Sequence, residues 1–279
     1  MIVLKFGGTS VQDSAAMDRA LDITFERLER SPVLISSAMA KITDSLIAAA
    51  DAAVAGDGEA VASLLDAVKE RHIKCAYEFL KGQNLNYAVT RINEIMTELR
   101  SILRGCVYLK ECTPQSCDAV VSCGELLSTV LLHARARERK IDAVWLDSRE
   151  LIKTDSTYGE AAVDFKATET AIRKAVTPAA GKLFIAQGFI GSDANSLTTT
   201  LGRGGSDYTA AVFGSILNAE EIQIWTDVNG IMTTDPRLVP EAKTVNEISY
   251  EEAAELAFFG AKVVHPATIQ PAVAKKIPV

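Results

Sequence analysis

The sequence predicts an α/β protein whose mainly parallel sheet is covered by helices on both faces. Short apolar runs alternate with helix-length segments along almost the whole chain, the pattern of βαβ units. Such alternation implies a parallel sheet buried between helices on its two faces. With 279 residues, 48% hydrophobic and 23% charged, the chain is one large domain or two lobes and can bury a sizeable core.

The elements follow in order. Residues 2–6 form a strand that ends in Gly7-Gly8, and a helix is expected over 14–30. Residues 32–36 are a second buried strand, and 44–55 a helix closed by Gly56-Asp57-Gly58. Two long amphipathic helices occupy 59–104, broken at Gly82-Gln83-Asn84. With few strand signals there, they read as a helical insertion at the sheet's edge. A strand is expected at 119–122, then a helix over 125–140 whose basic end suits a C-terminus. Further strands are expected at 143–146, 183–189 and 221–226. Further helices are expected over 164–176, 208–217, 249–259 and 268–276. The final KKIPV reads as the start of another strand.

The chain is organised around TTTLGRGGSDYTAAVFGSIL at 198–217. A β-branched run leads into Gly202, Gly204 and Gly205, and Ser206 or Asp207 is positioned to cap the helix that follows. A strand, a glycine loop and a helix N-terminus make an anion site, and Arg203 adds a cation inside the loop. The residues alone also allow a plain tight turn. Neither a Walker A loop nor a GxGxxG fingerprint is present, since Asp207 stands in the last glycine's place. Lys5, at the end of a buried strand, is either an anion ligand or a snorkelling edge lysine.

The net charge of −7 argues against a nucleic-acid or membrane surface, so an anionic ligand must be held by a few placed cations. No signal peptide is seen, and no apolar run approaches membrane-spanning length. Cys75, Cys106, Cys112, Cys117 and Cys123 form no CxxC pair, so reduced thiols in the cytoplasm are expected rather than a metal site. His72 and His133 read as structural, His265 as a turn residue and Asp235 as a turn before Pro236.

Six stretches carry a resemblance: KFGGTSV at 5–11, SAMAKITDSL at 37–46, GELLST at 124–129, LGRGGSDYTAA at 201–211, WTDVNGIMTTDPR at 225–237 and FGAKVVHPATI at 259–269. In this order they resemble the aspartate kinase family. The resemblance implies a three-layer αβα sandwich, the amino-acid kinase fold. Residues 1–195 would hold the phosphate acceptor and 196–279 the nucleotide. It implies phosphoryl transfer from ATP, with Mg²⁺, to the β-carboxylate of L-aspartate, in lysine, threonine and methionine synthesis. It leaves room for a homodimer.

It also implies roles by position. Lys5, with Gly7 and Gly8, resembles a phosphate clamp, and Ser10 lies on the same nucleotide-binding loop. Ser37, Thr43, Glu125, Phe189, Gly205 and Ser206 resemble substrate-binding positions, Glu125 being suited to the substrate's ammonium. Arg203 resembles a bidentate partner of a substrate carboxylate, and Asp207 an organiser of active-site lysines and hydroxyls. Thr226, Asp227, Met232, Arg237, Lys262 and Val263 match nucleotide-contacting positions, Met232 standing where many members have an aromatic residue. The match also implies a catalytic module lacking the regulatory ACT domains that follow in relatives, hence one insensitive to lysine and threonine. Two other readings stand beside it: a kinase of the same fold for acetylglutamate, glutamate or UMP, and a module that binds nucleotide but needs further domains for turnover.

Overall fold

Alternation in the first strand already divides the core in two. In β1 (Val3–Phe6), Leu4 and Phe6 point to one face, Val3 and Lys5 to the other. The computed structural model describes residues 1–228, 230–234, 239, 241–258 and 266–279. After β1 come α1 (Ser14–Phe25), β2 (Val33–Ser36), α2 (Ile42–Val54), α3 (Gly58–Phe79), α4 (Gly82–Leu109) and α5 (Pro114–Glu138). Then follow β3 (Asp142–Trp145), α6 (Ser148–Leu151), α7 (Phe165–Ala175), β4 (Lys182–Gln187), β5 (Ile190–Ser192) and β6 (Thr198–Thr200). The last elements are α8 (Gly205–Leu217), β7 (Ile222–Trp225), α9 (Tyr250–Phe258) and α10 (Gln270–Ala274).

Among the described residues, five strands form one parallel sheet in the order β3-β4-β2-β1-β7. Leu4, Phe6, Leu34, Leu183 and Ile185 pack under α1, α2 and α5. Val3, Val33, Ile35, Phe184 and Ile222 pack under α7, α8 and α10. This is the expected three-layer αβα sandwich. The β5–β6 hairpin is a small second sheet leading into the glycine loop. Strand order reverses at β1, with β2 on one side and β7 on the other, and in open α/β sheets ligands bind beyond the strand ends at such a reversal.

Helix starts follow their caps. Asp13 accepts from the Ala16 N–H, Asp57 from that of Ala60, and Asp164 from those of Lys166 and Ala167. The expected insertion is a hairpin of α3 and α4. It packs on α2 and α5 as an added helical layer and meets the sheet's edge where Arg91 lies over the Trp145 ring.

Three expectations are corrected. Residues 119–122 are not a strand but part of α5, which Thr113 caps by accepting from the Ser116 N–H, with Pro114 in the first turn. The helix is buried on nearly all sides, so its apolar run carries no period to separate it from a strand. That same helix is long and apolar enough, by length and composition, to cross a membrane, although no such run was expected. With 89% of the stretch buried inside the protein, it is the central core helix. Third, neither Ser206 nor Asp207 caps α8. Gly204 is the cap, at φ 74, where a Cβ would lie 2.7 Å from Thr268 Cγ2. Ser206 and Asp207 stand within the first turn, with their side chains free for other work. At the chain's end, Pro278 accepts from the Ile222 N–H, so 277–279 lie beside β7 without forming a described strand.

Candidate active site

The loops after β1 and β2, the middle of α5 and the head of α8 enclose a crevice of about 370 Å³. Lys5, Gly8, Ser37, Thr43, Glu125, Phe189, Gly205, Ser206 and Asp207 all line it. Nine positions singled out from the sequence, separated by up to two hundred residues, therefore meet in one place.

Lys5 reaches it because odd positions of β1 face α8, whose first turn carries Asp207. The ammonium stands 2.6 Å from Asp207 Oδ1, with both side chains largely buried. The loop packs directly beside this ammonium, since a Cβ at Gly7 would lie 3.7 Å from Lys5 Nζ, in ordinary contact. Gly8 lets the two loops touch: a Cβ there would lie 3.0 Å from the Ala38 carbonyl oxygen.

Glu125 enters from mid-helix, not from a helix start. Its neighbour Gly124 makes this possible, because a Cβ at 124 would sit 2.8 Å from Ala38 Cβ and push α5 off the loop. The Glu125 side chain is buried, and its Oε2 has no hydrogen-bond partner among the described residues. Desolvation pushes its pKa up to about 8, against hydrogen bonds from backbone N–H groups, Ala38 among them, that act in the other direction. A buried carboxylate without a counter-charge is costly, so the pocket is built for an incoming cation or holds a proton in its absence.

Hydroxyls complete the floor. Ser37 Oγ donates to Ser206 Oγ at 3.0 Å, and Ser128 Oγ donates to the Ser37 carbonyl at 2.8 Å. Gly188 admits the head of α8, since a Cβ there would lie 2.6 Å from both Cβ and Oγ of Ser206. Lys41 and Phe189 both line the crevice with left-handed backbone, φ 66 and φ 71, which non-glycine residues hold only under tight local constraint. Lys41 and Asp44 were not singled out from the sequence. Their signal was their place inside the SAMAKITDSL stretch.

Of the positions expected to serve the nucleotide, Gly7, Ser10, Thr226 and Asp227 lie at the strand reversal. The Gly7 N–H donates to the Trp225 carbonyl at 3.2 Å, and Ser10 Oγ donates to the same oxygen at 3.5 Å. Thr226 and Asp227 follow at once, Thr226 Oγ1 donating to Asp227 Oδ1 at 3.0 Å. Met232 lies further along, in an antiparallel bridge with Thr244. Arg203 is exposed and lines a neighbouring depression with Glu160, Phe165 and Tyr208, so the structure does not bring it into the crevice with Lys5 and Glu125. Arg237, Lys262, Val263, His265 and Asp235 lie outside the described residues.

The other two histidines serve the scaffold. His72 is buried with Nδ1 2.7 Å from the Val68 carbonyl, and His133 Nε2 is 3.2 Å from the Ala143 carbonyl. Burial lowers the pKa of both, that of His72 to about 4. All five cysteines are free.

Comparison with known proteins places this geometry. The model of the amino acid kinase family matches residues 1–279. The chain is 42% identical to the lysine-sensitive aspartokinase 3 of Escherichia coli strain K12, over 100% of this chain and 60% of that protein. It is 36% identical to the chloroplastic bifunctional aspartokinase/homoserine dehydrogenase 1 of Arabidopsis thaliana, over 99% of this chain and 30% of that protein. Among solved structures, Escherichia coli aspartokinase III in complex with aspartate and ADP superimposes with a TM-score of 0.89 at 39% identity, covering 99% of this chain and 60% of that one. The chain thus spans less than two thirds of the length of these relatives.

Proposed function

Because the chain belongs to the amino acid kinase family, we propose that it transfers the terminal phosphoryl group of ATP to the β-carboxylate of L-aspartate, giving 4-phospho-L-aspartate and ADP. The observation that carries this reading is Glu125, a buried carboxylate with a free oxygen in the same crevice as the Lys5–Asp207 pair. An amino-acid acceptor brings the ammonium that Glu125 lacks. Relatives named aspartokinases, and one solved with aspartate and ADP, support the same acceptor.

The acceptor carboxylate is ionised at neutral pH and attacks without a general base. Phosphoryl transfer then depends on positioning and on neutralising charge on the transferring group and leaving oxygen. Lys5 supplies a fixed ammonium for that charge, and Asp207 holds it in place. Gly7 and Gly8 let phosphate approach the backbone. Ser37, Thr43, Phe189, Gly205 and Ser206 shape the acceptor's side, and Arg203 takes its carboxylate by turning in from the neighbouring depression. Thr226, Asp227, Met232, Arg237, Lys262 and Val263 serve the nucleotide. In this reading approximately residues 1–195 hold most of the acceptor site and 196–279 most of the nucleotide site, with Lys5, Gly7 and Gly8 serving the phosphates and Arg203, Gly205 and Ser206 the acceptor from across that division, and one sheet runs through both. Free thiols support a reducing compartment, the cytoplasm.

Mg²⁺ fits as the nucleotide's companion rather than as a resident ion. Among the described residues no group of three or more histidine, cysteine or carboxylate side chains could hold a metal. Mg²⁺ characteristically keeps its waters and takes phosphate oxygens with few protein ligands, and it supplies charge neutralisation on the phosphates.

Aspartyl hydroxamate formation with ATP, Mg²⁺ and L-aspartate tests the proposal. Activity with acetylglutamate, glutamate or UMP but not with aspartate would overturn it. The relatives' greater length favours a second reading, in which the chain binds nucleotide but needs further segments for turnover. ADP binding without hydroxamate formation would select it.

A further inference from the structure

We propose that Arg71, on α3 of the helical hairpin and outside the crevice, is a positioning residue that fixes the spacing between the phosphate loop and the acceptor loop. The inference rests on the phosphoryl-transfer reading above. Its guanidinium donates through Nη1 to the Ala40 carbonyl at 2.6 Å and through Nη2 to the Gln12 carbonyl at 2.9 Å. Ala40 belongs to the loop after β2, which carries Ser37 and leads to Thr43. Gln12 ends the short turn after β1, which carries Gly8 and Ser10. One rigid fork therefore ties the two loops whose separation sets the distance between acceptor and phosphate.

The bond to Ala40 falls at a strained place. The Ala40 carbonyl belongs to the peptide that enters Lys41, and Lys41 is left-handed at φ 66. An L-residue there costs roughly 1–2 kcal/mol, so neighbouring contacts must hold it. Two such contacts are present: the Ala40 N–H donates to the Gly8 carbonyl at 3.0 Å, and Arg71 takes the Ala40 carbonyl. Lys41 is in turn the N-cap of α2, whose first turn presents Thr43 and Asp44 to the crevice. Arg71 forms no ion pair with any carboxylate among the described residues, so its charge is spent on two loop carbonyls. Its planar fork suits that task, and a lysine ammonium would reach only one of them at a time.

Loss of the fork leaves the Ala40–Gly8 bond and the packing of α3 in place. The expected result is misplacement, not unfolding. A shift of about 1 Å between reacting groups can cost up to ~10²-fold in rate. Arg71→Ala is expected to lower kcat about tenfold or more while the KM values for aspartate and ATP move less than threefold. Arg71→Lys should fall between the two, and guanidinium chloride far below denaturing concentrations should partly restore Arg71→Ala. Hydrogen–deuterium exchange on the ligand-free protein gives an arm independent of catalysis: amides of 37–43 should exchange faster in Arg71→Ala while those of α3 stay protected.

Unchanged kcat in a folded Arg71→Ala protein overturns the proposal, as does unchanged exchange over 37–43. If Arg71→Ala does not fold, Arg71→Lys decides: wild-type kcat and exchange in that variant overturn it equally. If the wild-type chain itself makes no aspartyl phosphate, the functional reading fails, and the exchange arm still decides whether Arg71 orders the loop.

Discussion

Asp207 and Glu125 line one crevice, yet Asp207 has an ammonium at 2.6 Å while Glu125 is buried with Oε2 unpartnered among the described residues. The first carboxylate is complete without ligand: it orients Lys5, and the two charges offset each other. The second is incomplete, and its cost is met only by a proton or by a ligand cation. The phosphoryl transfer proposed above calls for both kinds. It needs a fixed cation where phosphate charge develops, and a vacant anion where the acceptor's ammonium must be recognised.

The side of Lys5 and Asp207 carries the largest expected effect. Losing one preorganised donor from a site of this type costs roughly 2.7–4 kcal/mol, or about 10²–10³ in turnover. Lys5→Ala should lower kcat by that much and leave aspartate affinity nearly intact. Lys5→Arg should restore little, because a planar guanidinium does not replace a compact ammonium beside Gly7 and Gly8. Normal kcat in a well-folded Lys5→Ala protein would reduce Lys5 to an edge residue.

Glu125 comes next. Glu125→Gln removes one charge-assisted pair with the acceptor's ammonium, about 1.5–3 kcal/mol, hence roughly one to two decades in aspartate affinity. ATP affinity should change much less, and equal losses in titration calorimetry would count against the role. The pH dependence follows from the raised pKa. Between 4.5, the ordinary value, and about 8, the folded protein holds a proton that the unfolded chain has released. Stability of the free protein therefore falls as pH rises through that window, and Glu125→Gln should flatten the fall. Aspartate binding at pH 7 should release a proton, seen as a dependence of calorimetric heat on buffer ionisation enthalpy. No such dependence would mean that Glu125 is already ionised or stays protonated.

Gly124 tests how α5 delivers Glu125. An alanine there gains about 1 kcal/mol in helix propensity but places Cβ 2.8 Å from Ala38 Cβ, and overpacking costs about 1–3 kcal/mol. Gly124→Ala should therefore lose up to about 2 kcal/mol in urea unfolding and raise the KM for aspartate through the displaced loop. A more stable variant with unchanged KM would show that the loop yields freely.

The sheet was legible in the sequence because each buried strand is a short apolar run next to glycine or a cap, as in residues 2–8. Most of the crevice was legible too, because Lys5, Ser37, Thr43, Glu125, Ser206 and Asp207 stand inside recognisable motifs. Residues 119–122 were not, since a helix buried on every side has no polar face to mark its period. The cap of α8 was missed because Ser-Asp is the stronger side-chain signal, whereas Gly204 acts through backbone conformation and the closeness of Thr268. Arg71 was invisible for another reason. It meets loop carbonyls, and no residue pattern reports which carbonyl a distant arginine will reach.

The smallest expected effect on function belongs to His72, which separates burial from role. Like Glu125 it is buried and has an atom, Nε2, without a hydrogen-bond partner among the described residues. It lies within α3, away from the crevice lining, with Nδ1 held by the Val68 carbonyl. Desolvation lowers its pKa from 6.5 to about 4, the opposite sense from Glu125. Between those values the unfolded chain binds a proton that the folded protein does not, so stability falls as pH drops from 6.5 towards 4. The two groups thus give stability opposite slopes with pH, His72 alone at the acid end and Glu125 alone towards pH 8, with their windows overlapping between 4.5 and 6.5. His72→Gln should flatten the acid limb in thermal unfolding. Aspartate should shift the limb governed by Glu125, because its ammonium meets that carboxylate, and leave the limb governed by His72 in place. Kinetic constants at pH 7 should be unchanged in His72→Gln. A changed KM for aspartate would show that α3 transmits more to the crevice than the Arg71 fork alone.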